Sequence, residues 1–124
     1  MKSGKNLDGK TIRLIRSIGL LDKNEQIIFY YSNFEKSKAG NFITDKRLAH
    51  YWLAAENKEE NDTTYAYYSD ILAIDTTYFV GVTYSPFMNI KRKDGSEFKV
   101  YIEGKHEEMK VFFEEAIRRW QQQQ

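Results

Sequence analysis

Asn89-Ile90-Lys91-Arg92-Lys93-Asp94-Gly95-Ser96-Glu97-Phe98-Lys99-Val100 is the stretch that decides the fold class. An Asp-Gly pair sits between two segments of alternating apolar and polar residues. Both turn residues tolerate the positive φ angles of a type I′ turn, whose twist matches that of the flanking strands. The stretch predicts a β-hairpin. Ile90 on one arm and Phe98, Val100 and Ile102 on the other are expected to line a core, with Lys91, Lys99 and Tyr101 facing outward.

The same period of two recurs along the chain in short runs rich in β-branched and aromatic residues: 27–31, 41–44, 47–53, 64–68, 71–78, 87–92 and 97–102. Turn or polar stretches separate them at 32–40, 45–46, 56–62, 69–70, 81–86 and 94–95. About seven strands are expected. Past the hairpin the period changes to that of a helix over 105–120, with Met109, Phe112, Phe113, Ala116, Ile117 and Trp120 on one apolar face. Glu107 and Glu108 in its first turn and Arg118 and Arg119 in its last suit the helix dipole, and Glu114 and Glu115 can pair with those arginines. A second, shorter helix is expected over 11–18, where Ile12, Ile15 and Ile18 form a stripe. Asp8 can cap its start and Gly19 can end it. It is too short to stand alone in water and must pack on something. No long helix separates consecutive strands, which disfavours parallel βαβ units and favours an antiparallel meander.

A chain of 124 residues with 41% hydrophobic content suits one core better than two marginal ones. The expected organisation is a polar leader with a basic helix at 1–19, one domain at 20–120, and a frayed glutamine tail at 121–124. The absence of cysteine excludes disulfides, thiolate zinc sites and cysteine nucleophiles. No apolar run approaches the roughly 20 residues of a membrane span, so a cytoplasmic protein is expected. The total charge is only +1, but residues 1–18 carry Lys2, Lys5, Lys10, Arg13 and Arg16 against Asp8 alone, a local +4 that leaves −3 for the remainder. An anion-seeking surface therefore belongs near the N-terminus.

Three further stretches carry a family resemblance. Leu20-Leu21-Asp22-Lys23-Asn24-Glu25-Gln26-Ile27-Ile28 is similar to the opening of bacterial pleckstrin-homology (PH) domains and their GRAM-like branch, in which a leucine, a turn and a glutamate lead into the first strand. Phe42-Ile43-Thr44-Asp45-Lys46-Arg47-Leu48 resembles their second hairpin, with its Thr-Asp-Lys-Arg turn, and Tyr68-Ser69-Asp70-Ile71-Leu72-Ala73-Ile74 resembles a later strand junction. The resemblance spans 20–120. It implies a mainly β, α+β fold: a PH-like barrel of about seven antiparallel strands in two nearly orthogonal sheets, capped by the C-terminal helix and here preceded by an extra short helix. It also implies a non-catalytic binding or scaffolding module that needs no cofactor; fold alone does not choose the ligand. The loop that grips phosphoinositides in some of these domains corresponds to Tyr31 to Phe42. It offers Lys36 and Lys38 beside Glu35, without arginine and without the family's basic lysine-then-arginine pattern on the next strand.

A competing pattern lies at Gly4-Lys5-Asn6-Leu7-Asp8-Gly9-Lys10-Thr11, which matches the phosphate-binding G-x-x-x-x-G-K-T loop and precedes a helix. Ile71 to Asp75 imitates the apolar strand ending in a magnesium-binding aspartate. A working loop of this kind leaves a buried parallel strand, and only Met1-Lys2-Ser3 precede Gly4. The plainer reading is a leader with a capping aspartate. His50 and His106 make no zinc set, and His50, between Ala49 and Tyr51, reads as a strand residue. The aromatic residues have no basic residues interleaved as nucleic-acid stacking platforms require. The expected partner is a protein or a second copy of the chain. One alternative is a peripheral membrane adaptor with Lys10, Arg13, Arg16, Lys36 and Lys38 as candidate anion or lipid contacts. A second is nucleotide binding at Gly4 to Thr11.

Overall fold

The computed structural model describes residues 1–53, 61–78 and 86–124. It is mainly β, with two antiparallel sheets and a C-terminal helix. The expected turn stretches 56–62 and 81–86 fall largely outside the described residues. By their contacts the residues gather into two compact units, 1–65 and 66–124.

The first unit opens with β1 (Lys2–Ser3), a 3-10 turn at Gly4–Asn6, and α1 (Gly9–Ser17). Strands β2 (Ile27–Tyr31), β3 (Ala39–Thr44) and β4 (Arg47–Trp52) follow, and β5 (Asp62–Tyr67) begins within it. The sheet order is β1-β2-β3-β4-β5. β1 was not expected: two residues carry no legible period, yet Lys2 pairs with Tyr30 and Ser3 with Phe29. α1 starts two residues before the expected stripe because Asp8 is its N-cap, accepting from the Thr11 amide at 3.1 Å and the Thr11 hydroxyl at 2.8 Å. It ends in a Schellman motif. Gly19 takes φ +81°, its amide bonds the Arg16 carbonyl, and the Leu20 amide bonds that of Ile15.

α1 packs on its own sheet. Ile15 is fully buried in a cluster with Leu7, Leu20, Leu21, Tyr30, Phe42, Ala49 and Tyr51, while Ile12, Leu14 and Ile18 pack at its margin. Within that cluster the Tyr30 and Tyr51 hydroxyls lie 2.7 Å apart, and Tyr51 donates to the Lys36 carbonyl at 2.6 Å. Burial pushes both phenols above their ordinary range. β3 passes so close to this pair that a Cβ on Gly40 would stand 2.6 Å from the Tyr30 hydroxyl and 2.7 Å from the Tyr51 ring. Gly40→Ala is therefore expected to lower stability by about 1–3 kcal/mol, the usual cost of overpacking, with urea unfolding as the check.

In the second unit, a 3-10 turn (Tyr68–Asp70) leads into β6 (Ile71–Thr77), β7 (Phe87–Arg92), β8 (Glu97–Tyr101) and α2 (His106–Gln122). The sheet order is β6-β7-β8. The hairpin is present, pairing Ile90 with Phe98 and Met88 with Val100. Ile90, Val100 and Ile102 are buried and Phe98 is half-buried. The turn type differs from the expected I′. Only Gly95 takes a positive φ, +92°, and its amide bonds the Arg92 carbonyl at 3.0 Å. The Arg92 amide bonds the Ser96 carbonyl, which leaves Lys93-Asp94-Gly95 as a three-residue loop. Asp94 keeps a negative φ and spends its carboxylate on the Ser96 amide and hydroxyl.

α2 buries Met109, Phe112, Phe113 and Ala116, and the Trp120 indole donates to the Ile71 carbonyl at 3.0 Å. The helix continues past Trp120 to Gln122, and the Gln124 side-chain amide donates to the Tyr68 carbonyl at 2.7 Å. Arg118 and Arg119 both pair with Glu115, whereas Glu114 faces Lys110 at 3.9 Å.

Candidate functional site

The chemistry-bearing residues of the first unit fall into two groups, one buried and one facing outward. The buried group is built by two stretches distant in sequence. Glu25 stands just before β2, and the Thr44 to Arg47 turn joins β3 to β4. The Arg47 side chain is 1% exposed and that of Glu25 is not exposed at all. Arg47 donates from Nη2 to Glu25 Oε1 at 2.6 Å and from Nε to both carboxylate oxygens at 3.1 and 2.9 Å. Thr44 donates its hydroxyl to Glu25 Oε2 at 2.5 Å while its oxygen accepts from the Arg47 amide at 2.9 Å. The Asp22 amide donates to Glu25 Oε1 at 3.0 Å, and the Tyr65 ring covers the guanidinium at 4.8 Å. Burial raises the Glu25 pKa, but the bonds from Arg47, Thr44 and the Asp22 amide outweigh it and hold the carboxyl below its usual range. Every polar atom of this carboxylate is committed. Glu25 and Arg47 thus tie together two of the three stretches that carried the family resemblance, 20–28 and 42–48, and their role is structural. Sequence reading singled out both stretches without linking them; the available signal was a glutamate and an arginine each at the edge of an otherwise apolar run.

The outward group contains the candidate anion contacts. Lys10, Arg13 and Arg16 are exposed on α1. Lys36 is not a free cation: its ammonium lies 2.8 Å from Asp8 Oδ1, tying the β2–β3 loop to the start of α1. The Lys36 and Thr11 bonds hold the Asp8 carboxyl well below its usual range, and the Lys36 pKa is raised in turn. Lys38 lies 3.7 Å from Glu35 and 5.8 Å from the Phe34 ring centroid. Lys10, Thr11, Leu14 and Ser37 border one hollow of the first unit, which places Lys10 beside the β2–β3 loop, and Lys36 borders another with Lys2 and Tyr31; Arg16 borders a third with Lys5 and Ile27.

The Gly4 to Thr11 pattern is occupied by structure. A Cβ on Gly4 would stand 1.7 Å from the Ile27 carbonyl oxygen, so this glycine permits a backbone contact with β2. Thr11 is buried and its hydroxyl serves Asp8. The preceding strand, β1, is antiparallel to β2 and two residues long. The Asp8 carboxylate already fills the place at the helix N-terminus that a phosphate takes in a working loop. Asp75 is exposed on β6.

His50 is held mostly out of water beside Asp62, at 3.0 Å, and burial lowers its pKa despite that carboxylate. Among the described residues no group of three or more His, Cys, Asp or Glu side chains converges as a metal set. No helix among them is long and apolar enough to cross a membrane. No family model matches the chain, and no curated protein or solved structure matches it.

Proposed function

We propose that the chain is a non-catalytic binding module of the PH-like type, acting on a protein partner or a second copy of itself. The observation that carries this reading is the commitment of the chemistry-bearing residues of the first unit to structure. Glu25, Thr44 and Arg47 form a buried knot, and Asp8, Thr11 and Lys36 fasten α1 to the β2–β3 loop. What faces outward is a set of cations above shallow hollows, a surface suited to recognition.

The peripheral membrane reading keeps one supporting observation, the exposed Lys10, Arg13 and Arg16. Its apolar half is already spent, because Ile15 is buried in the unit's own core. Lys36 is neutralised by Asp8, and the loop has no arginine to read phosphate geometry. Each basic residue near an anionic surface contributes about 1 kcal/mol. Attachment to phosphatidylserine vesicles is therefore expected to be weak, indifferent to phosphoinositide identity, and lost as salt approaches physiological strength, where screening acts over about 8 Å. Vesicle co-sedimentation across a salt series checks this, and sedimentation equilibrium at several concentrations tests self-association. Salt-resistant capture by one phosphoinositide, abolished in Lys36→Ala/Lys38→Ala, would replace the protein-binding reading with a lipid-binding one.

A further inference from the structure

A groove of about 270 Å³ runs between α1 and the start of β2. Its apolar lining comes from Ile12, Leu21 and Ile27, and Lys5 and Arg16 contribute its cations. Glu25 also borders it, but that carboxylate is fully engaged by Arg47, Thr44 and the Asp22 amide and offers no free anion. Lys5 and Arg16 are exposed and have no ion-pair partner among the described residues. An apolar hollow with two unneutralised cations beside it is thus left open.

From this we infer that the groove docks a short acidic segment of a partner protein, with a leucine- or phenylalanine-like side chain seated over Ile12, Leu21 and Ile27 and flanking carboxylates held by Lys5 and Arg16. The inference rests on the binding-module reading and names its partner class. Shape favours a peptide over a bilayer. Leu21 is only 7% exposed and Ile12 and Ile27 are half-buried, so the apolar atoms form a recess that an inserted side chain can reach, while a flat membrane meets only the cations. Charge completes the match: residues 1–18 carry five basic side chains against one acidic, and opposite charge speeds encounter and selects partners.

The test uses the full chain and three pools of short capped peptides: acidic residues flanking leucine or phenylalanine, the same peptides with lysine for each acid, and the same with serine for each apolar residue. Phosphatidylserine vesicles serve as a fourth arm. Amide shifts in two-dimensional NMR locate binding, and titration gives its strength. The expected result is selection of the first pool, with shifts centred on Ile12, Leu21 and Ile27. Affinity should fall by about tenfold or more in Lys5→Glu/Arg16→Glu, whose melting temperature should stay near that of the parent. Equal binding of the serine pool, binding that survives the charge reversal, or binding by vesicles alone would overturn the inference. If no pool binds but the chain self-associates in sedimentation, the groove inference fails and the module reading stands. A chain that remains monomeric and selects no pool contradicts the groove inference and removes self-association from the module reading.

Discussion

Arg47→Ala is expected to destabilise the protein by about 3–5 kcal/mol, the cost of leaving one member of a buried ion pair without its partner. The vacated Glu25 carboxylate would remain at a site where its side chain has no exposure to water, retaining only Thr44 and the Asp22 amide. Glu25→Ala should cost a similar amount. Replacing both together, as Glu25→Leu/Arg47→Met, should cost far less than the sum of the single changes, because apolar side chains of similar volume remove the desolvation penalty along with the attraction. The pH dependence has a definite sign. Glu25 has a folded-state pKa below its unfolded value of about 4.3, so its contribution is fully present above about pH 5 and is lost as pH falls through the lowered folded value. Urea midpoints between neutral and acid pH should fall for the parent and fall less for Glu25→Gln. Equal acid sensitivity in the two would remove Glu25 as the titrating group.

Phe113→Ala should be comparably damaging, at about 3–5 kcal/mol, the range for deleting a buried aromatic side chain. Phe113 has no exposure and meets the Tyr78 ring at 5.8 Å and the Phe112 ring at 6.4 Å. Its removal opens a cavity where α2 meets the second unit's own strands. Trp120→Ala should cost less, because the indole is only half-buried, although its hydrogen bond to the Ile71 carbonyl is lost. Melting of Phe113→Ala alongside the parent would mean that α2 is not what closes this unit's core.

Strands were legible from the chain because their signal is local. The runs 27–31 and 87–92 coincide with β2 and β7, and the other expected strands differ by a residue or two at their ends, while β1 had no counterpart. Local geometry was less legible: Asp-Gly is compatible with a type I′ turn and with a three-residue loop whose last member is glycine, and hydrogen bonding around Asp94 chose the second. Contacts across the chain left still less trace. Lys36 and Asp8 are 28 residues apart and Glu25 and Arg47 are 22 apart, and no periodicity announces either pair. Lys36, a candidate lipid contact, pairs with Asp8 in the fold, and the first glycine of the phosphate-loop pattern makes a backbone contact with Ile27. In both cases the residue type is shared by a binding role and a structural one, and only the partner distinguishes them.

On the proposed binding reading, Gly4 to Thr11 serves as the capped entry to α1 and performs no phosphate chemistry. Calorimetric titration of the full chain with ATP and magnesium tests it most directly, with Lys10→Ala as the comparison. Lys10 is exposed and Thr11 is already bonded to Asp8, so no saturable heat is expected from the parent and no change of stability from Lys10→Ala. Saturable, magnesium-dependent binding of ATP that disappears in Lys10→Ala would contradict the claim.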